Sequence, residues 1–442
     1  MMRMRLPCLG RGSSVGGVSA AAAAAAVLRL RPGPSHTLAA WRLHSWVPAA
    51  ADSRLAEITS AEDVPVPLCR RPPVHEEALA ALMDWRAAVL QRIEAVGDAF
   101  ESADGGPGRA LLQREVTWAL DDAVSAYRDA RDGPWRPCNW QQLEAEVRTA
   151  QARRRQSGGG TAGAAPAPED GWQVQLRAPV AELRALWQRR LEERVPFQYL
   201  LHAAHWREFV LSVGPGVLVP RPETEGMIEM AAAALDAAPA LADAPWADLG
   251  TGSGALAVGL ATLLARRRRG RWTQRQAGAA APAGSSEQTE PAVWAVDLSP
   301  VAAAYAAANA AACAPPGAVR VVRGSWWAPL AHLRGRLGGV LTNPPYIPRA
   351  EMGALQQEVG AHEPHGALDG GPGPGLDSLE VICDGAGDML VDGGYIAIET
   401  AGGEQAHRVR QLLDASGVFE RAAVVDDCFG VGRFVEAFRR PR

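Results

Sequence analysis

The chain has 442 residues, enough for two or three domains, and its 48% hydrophobic content is ordinary for a globular protein. Once the alanines near the start are set aside, no apolar run approaches the roughly 20 residues of a membrane-spanning helix, so no membrane association is expected. All 45 basic residues are Arg, none is Lys, and the formal net charge is −4; with the Ala and Gly excess this fits the codon bias of a GC-rich genome better than a basic binding surface.

The first 51 residues hold six Arg, several Ser, the run Ala20 to Ala26 and no Asp or Glu. That composition predicts an organelle transit peptide; a secretory signal is the alternative, but Arg29 and Arg31 interrupt the apolar run. Without those six charges the formal net charge moves from −4 to −10. A mature protein that acidic is not expected to bind nucleic acid stably as a whole, although a local basic patch stays possible. Cys8, Cys69, Cys138, Cys313, Cys383 and Cys428 are scattered with no Cys-x-x-Cys pair, so they read as reduced thiols, and no metal site is expected.

Residues 52–72 read as a linker. Beyond Pro73 the apolar spacing of Leu79, Leu82, Met83, Trp85, Val89, Leu90 and Ile93 predicts a helix, and Leu111 to Tyr127, Trp140 to Arg153 and Val180 to Arg194 repeat it. Ser102 to Arg109 and the Gly/Ala/Pro tract Ser157 to Pro168 read as loops or linkers. Residues 73–195 are therefore expected to form a small helical bundle whose Trp and Leu stripes are core. Residues 196–222 change to short, partly alternating apolar runs around Gly214-Pro215-Gly216, which predicts a β-hairpin joining two domains. It ends in Arg221-Pro222-Glu223-Thr224-Glu225, whose carboxylates could simply open the next helix.

Residues 223–442 read as one α/β unit. Asp248-Leu249-Gly250-Thr251-Gly252-Ser253-Gly254 precedes Ala255 to Leu260 in helical spacing, the strand, glycine turn and helix of a nucleotide-type cofactor site. The Asp-x-Gly-x-Gly-x-Gly spacing departs from the dinucleotide fingerprint and is the form used for S-adenosylmethionine. The next strand, Val293 to Asp297, ends in a carboxylate able to accept both ribose hydroxyls. That acid falls 43 residues after Gly254, against about 20 in a compact unit, and an inserted solvent loop at residues 266–290 accounts for the gap. Its four arginines, Arg266 to Arg269, carry an RNA-contact alternative. A third strand, Ala318 to Val322, leads to Gly324-Ser325-Trp326-Trp327, where Trp326 could lie against adenine.

The fourth strand, Gly339 to Leu341, delivers Asn343-Pro344-Pro345-Tyr346. Two prolines fix φ at about −65° and donate no N–H, leaving nearby carbonyls free to accept hydrogen bonds. On the tetrapeptide alone a proline-rich surface turn is the alternative. Ligands of open α/β sheets sit outside the carboxyl ends of the strands, which would place Asp248, Asp297, Trp326 and Asn343 along one edge.

With these motifs in place, residues Glu193 to Arg433 resemble the HemK-type (PrmC) glutamine N5-methyltransferases that modify peptide-chain release factors. The resemblance takes in Arg221 to Glu225, Asp248 to Gly254, Asp297-Leu298-Ser299-Pro300, Asn343 to Tyr346, His362-Glu363-Pro364, Ala367 to Gly371, Glu399 and Gly430 to Arg433. The helical region before it resembles the family's substrate-recognition bundle more loosely, and Trp206-Arg207-Glu208 and Gly324-Ser325-Trp326 resemble the cyanobacterial and plastid branch. The resemblance implies a Rossmann-like class I methyltransferase domain with a mostly parallel, twisted seven-stranded sheet. It also implies S-adenosylmethionine held by Asp248, Gly250, Thr251, Gly252, Ser253, Gly254, Asp297, Trp326 and Asn343. The substrate implied is the glutamine of the Gly-Gly-Gln loop of an organellar class I release factor, met by Asn343, Pro344, Pro345 and Tyr346 in a monomeric enzyme. The plastid branch places it in the chloroplast, with the mitochondrion as the alternative.

Two departures stand out. Pro245 interrupts a strand that is usually apolar throughout and is expected to mark its first residue. Ser325 stands where many relatives carry an acid. For transfer, the Asn343 side-chain oxygen and the Pro344 carbonyl would accept the two N–H bonds of the substrate amide, with Tyr346 against its plane, placing nitrogen in line with the methyl group. The enzymatic rival is an exocyclic amino methyltransferase of adenine or guanine in RNA or DNA. A cofactor-binding scaffold without catalysis is the rival of another class. A nicotinamide oxidoreductase fails on loop spacing. His362 and His365 lack a further ligand and read as loop histidines.

Overall fold

Residues 58–129, 133–156, 171–276 and 290–442 are described by a computed structural model. The expected transit peptide (1–51), the tract 157–168 and residues 277–289 of the expected insertion lie outside the described residues. In the N-terminal region helices form at Leu79–Val96, Arg109–Ala123, Trp140–Gln156 and Val180–Glu192. Their apolar stripes, with Leu82, Trp85, Ile93, Leu120, Trp140 and Leu183 all but fully buried, make one core.

This region is more than a helical bundle. β1 (His75–Ala78), β2 (Val124–Arg128), β3 (Arg136–Pro137) and β4 (Gln173–Leu176) form an antiparallel sheet in the order β1-β4-β2-β3. The strands are two to five residues long, too short for a clear alternation. β2 follows the helix ending at Ala123 without a break, so 111–127 reads as one helix although Val124 and Tyr127 favour a strand. Residues 58–72 are not a free linker: Leu68 is fully buried in the N-terminal core. Ile58 and Val64 pack against an apolar cluster that includes Tyr199, Val217 and, from the helix Pro300–Cys313, Val301, Ala302 and Tyr305.

The joining hairpin pairs β5 (Ala203–Trp206) with β6 (Phe209–Ser212). Its turn is Arg207-Glu208, with Arg207 at φ +53°, rather than Gly214 to Gly216, which bend the chain after β6 through Val217 N–H to the Gly214 carbonyl. An Arg tolerates the left-handed turn because Glu225 Oε1 accepts its N–H at 3.0 Å.

The C-terminal domain carries a seven-stranded sheet as expected. β7 (Trp246–Leu249), β8 (Val293–Asp297), β9 (Val319–Arg323), β10 (Leu337–Thr342), β11 (Leu390–Glu399), β12 (Phe419–Asp426) and β13 (Gly432–Arg439) run in the order β12-β13-β11-β10-β7-β8-β9. The ladder from β9 to β11 is parallel, and β13 is antiparallel to β11 and β12. One apolar core covers each face, around Ile228, Leu260 and Tyr395 on one side and Leu330, Ile382 and Leu413 on the other. Pro245 sits just before β7, where its carbonyl accepts Gly338 N–H at 2.8 Å, so the central ladder loses no donor.

The expected insertion does not begin as a loop, because the helix Ala255–Gln276 runs through Arg266 and beyond. Arg266 pairs with Glu208 at 2.9 Å, Arg267 with Asp236 at 2.6 Å, and Arg268 donates to the Ala242 carbonyl at 2.6 Å. These three cations are engaged by the protein's own groups.

Candidate active site

The carboxyl ends of β7, β8, β9 and β10 open on a cavity of about 660 Å³, within the range of about 300–1,000 Å³ usual for small-molecule sites. Gly250, Thr251, Gly252, Ser253, Asp297, Trp326 and Asn343 all line it. Gly250 sits at φ +71° and Gly252 at +55°, left-handed backbone that favours glycine. A Cβ on Gly250 would also lie 3.5 Å from the Trp326 ring, and one on Gly254 3.1 Å from Ala306. Asn309, fully buried, ties this loop to the hairpin by accepting Ser212 N–H at 2.7 Å and donating to the Ser212 and Ser253 carbonyls at 2.9 Å.

Asp248 departs from its expected place. It is fully buried beneath the loop and does not line the cavity. One oxygen accepts the Thr251 hydroxyl at 2.6 Å and Ala257 N–H at 3.0 Å, while Oδ1 has no partner. Burial pushes its carboxyl up to about 7 against those two bonds. Asp248 therefore shapes the loop from below and is corrected from a cofactor contact to a support.

Asp297, at the end of β8, does line the cavity. Its two oxygens accept N–H bonds from Gly252 and Ser299, each at 2.9 Å. Burial raises its carboxyl above the ordinary range while those bonds pull it down. Each oxygen keeps acceptor capacity, which suits a pair of ribose hydroxyls. Trp326 holds its ring by Gly250 from a left-handed backbone, φ +43°, and Ser325 and Leu298 share its wall.

The Asn343 to Tyr346 turn lies at the end of β10. Asn343 Nδ2 donates to Thr224 Oγ1 at 3.3 Å, and Thr224 donates to Glu399 Oε2 at 2.7 Å. This orients the Asn343 amide: one of its two N–H bonds is taken by Thr224, and among the described residues no donor reaches its Oδ1 or the Pro344 carbonyl. Pro345 lines the cavity, whereas Pro344 is buried and Tyr346 does not line it. The Tyr346 hydroxyl instead turns to Glu399 Oε1 at 3.4 Å, and burial raises its phenol. Not all the carbonyls of the turn are free, since Gln405 donates to that of Tyr346 at 2.9 Å and Gly370 to that of Ile347 at 2.8 Å.

Thr224, Glu399 and Gln405 were not singled out as site residues from sequence. Thr224 sits in the Arg221-to-Glu225 element, and Glu399 is the acid closing the apolar run Tyr395 to Ile398, as Asp297 closes Val293 to Val296; that parallel was the available signal. The same element also closes the cavity. Arg221 Nη2 lies 2.9 Å from both oxygens of buried Glu363, and Arg189 and Tyr199 bring the preceding domain to the wall. His362 and His365 donate Nε2–H to the Glu193 and Gly360 carbonyls at 2.9 and 3.0 Å. Away from the site, Cys69, Asp122 and His205 bring ligand-type atoms within 4.8 Å of one another. Asp122 raises the His205 imidazole by hydrogen bonding, and burial then Asp122 push the Cys69 thiol up to about 11.

A left-handed glycine loop, a cavity-facing carboxylate and an indole fit S-adenosylmethionine, with Gly250 to Ser253, Asp297, Trp326 and Asn343 as the residues that would hold it. Residues 227–358 match a family described as RMKL-like, methyltransferase domain. The release factor glutamine methyltransferase of Thermosynechococcus vestitus is 38% identical over 265 residues, 60% of this chain and 81% of that protein. The one from Gloeobacter violaceus is 40% identical over 263 residues, again 60% and 81%. A solved protein-(glutamine-N5) methyltransferase from Alicyclobacillus acidocaldarius is 22% identical, covering 52% of this chain and 100% of its own with a TM-score of 0.26. By its similarity to the first two, and with a site fit for that cofactor, the chain belongs to the family of S-adenosylmethionine-dependent release factor glutamine methyltransferases.

Proposed function

We propose that this enzyme methylates the side-chain amide nitrogen of the glutamine in the Gly-Gly-Gln loop of an organellar class I release factor. The observation that carries this reading is the Asn343 amide at the cavity wall, oriented by Thr224 so that Oδ1 is left as an acceptor; the second acceptor we assign is the neighbouring Pro344 carbonyl, which takes no bond among the described residues. When bound, S-adenosylmethionine supplies an electrophilic methyl group, whose bond to sulfur breaks as the substrate nitrogen bonds to carbon. A carboxamide nitrogen is a weak nucleophile, so the protein's contribution is to hold it in line and to favour the positive charge growing on it. Two oxygen acceptors on its N–H bonds do both, and the methylated nitrogen then loses a proton to water.

The acid-rich chain downstream of residue 51 and the engaged arginines Arg266 to Arg268 favour a protein substrate over a nucleobase. The composition of residues 1–51 and the cyanobacterial relatives support the chloroplast over the mitochondrion, and we read the enzyme as a monomer. The test is transfer of label from S-adenosylmethionine to plastid and mitochondrial release factors carrying Gln or Ala in the Gly-Gly-Gln loop. Label should depend on the Gln and favour the plastid factor. Label on the Ala form, or only on RNA, would overturn the reading.

A further inference from the structure

The hydrogen bonds behind Asn343 form a chain whose direction is set at its far end. A hydroxyl has one proton to give, and Thr224 directs it to Glu399 Oε2 at 2.7 Å while accepting Asn343 Nδ2–H at 3.3 Å. Glu399 is fully buried at the end of β11. From the surrounding elements it faces Thr224 and Glu223 of the 223–225 turn, the Tyr346 hydroxyl and Arg433 on β13. Arg433 directs its Nε to Asp427 at 2.8 Å, so Glu399 shares its field without that bond.

We propose that Glu399 is a positioning residue that decides, through Thr224, which end of the Asn343 amide faces the substrate. Ionised, Glu399 can only accept, so Thr224 must donate away from Asn343 and Asn343 must spend an N–H on Thr224. Its Oδ1 then faces the substrate amide. Protonated, Glu399 donates to Thr224, the hydroxyl turns its own proton toward Asn343, and the amide flips to accept it. The Asn343 N–H bonds then meet those of the substrate, donor against donor, and the nitrogen is no longer held. This inference rests on the carboxamide-substrate reading above.

The sign follows from burial, which pushes Glu399 up to about 7, opposed first by the Thr224 bond, with Glu223 adding to the rise. The ionised fraction, and kcat with it, falls as pH drops through that value. Asp248 stands at a similar value but lies under the glycine loop, so its titration acts on cofactor affinity and leaves kcat at saturating cofactor unchanged.

The experiment is a profile of kcat against pH, from about 5.5 to 8.5, at saturating cofactor. It compares the parent with Glu399→Gln, Thr224→Ser and Thr224→Val, each also measured for cofactor Kd. The parent should show an acid limb. That limb should vanish in Glu399→Gln, whose side chain does not ionise. Thr224→Ser should keep parent rate and limb, while Thr224→Val, isosteric but unable to relay, should lose on the order of tenfold in kcat at unchanged cofactor Kd. An acid limb that persists in Glu399→Gln, or parent turnover in Thr224→Val, overturns the proposal. If Glu399→Gln does not fold, the Thr224 pair decides alone. A parent that labels no release factor at any pH refutes the substrate reading instead, whereas a working parent whose limb ignores Glu399 refutes only this inference.

Discussion

Asn343 is useful because of what its neighbours deny it. With Nδ2 held by Thr224, the carboxamide is fixed in one orientation, and Oδ1 is free to accept. Asn343→Ala removes that acceptor and should lower kcat by about 100- to 1,000-fold while cofactor Kd stays within several-fold, as read by single-turnover transfer and equilibrium binding. Gly250→Ala should act the other way round. A Cβ at φ +71° is strained, at roughly 1–3 kcal/mol, in the loop that lines the cavity, so cofactor affinity drops first, measurable by titration of tryptophan fluorescence. The residues legible in the sequence, the glycine loop, Asp297 and Asn343, each lie in a contiguous motif whose chemistry is local. Thr224 is 119 residues from Asn343, and no spacing rule announces that contact. Asp248 was misjudged for a related reason: its motif is real, but only packing reveals that the acid points beneath the loop.

At the scale of elements, legibility followed length and burial. The parallel strands β7 to β11 are apolar runs between turn signals, which pattern reading finds. The strands of the N-terminal sheet are too short and too closely joined to helices for that, and the β5–β6 turn falls on Arg207 because Glu225 satisfies it from outside the hairpin. Close packing inside the large sheet imposes its own requirement. Gly339 on β10 faces the Trp246 ring of β7, and an added Cβ would overlap it. Gly339→Ala should therefore destabilise the protein by about 1–3 kcal/mol, seen as a lowered melting temperature with cofactor chemistry intact in the folded fraction.

Across the whole molecule, the two domains meet through charges that helix patterns assign to solvent. Buried Arg190 pairs with Glu115 at 2.7 Å in its own domain and with Glu358, beyond the catalytic turn, at 3.0 Å; Arg194 joins Glu358 and pairs with Asp104 at 2.7 Å. Desolvation is the largest influence on Arg190, yet the carboxylates hold it above its ordinary range. Glu358→Leu would remove the carboxylate the two guanidiniums share, leaving Arg190 with Glu115 and Arg194 with Asp104, and should cost about 1–3 kcal/mol, measured by chemical denaturation. The segment from Ile58 to Leu68 ties the two domains together ahead of the first long helix. Ile58 and Val64 pack against the apolar cluster that includes the cavity-lining Val301 and Ala302, while Leu68 a few residues on belongs to the N-terminal core. Truncation into this segment is therefore expected to disturb both domains. A form starting after Val64 should bind S-adenosylmethionine more weakly and melt lower than one starting at Asp52, because the cut would remove apolar packing from the cluster that backs the cavity wall.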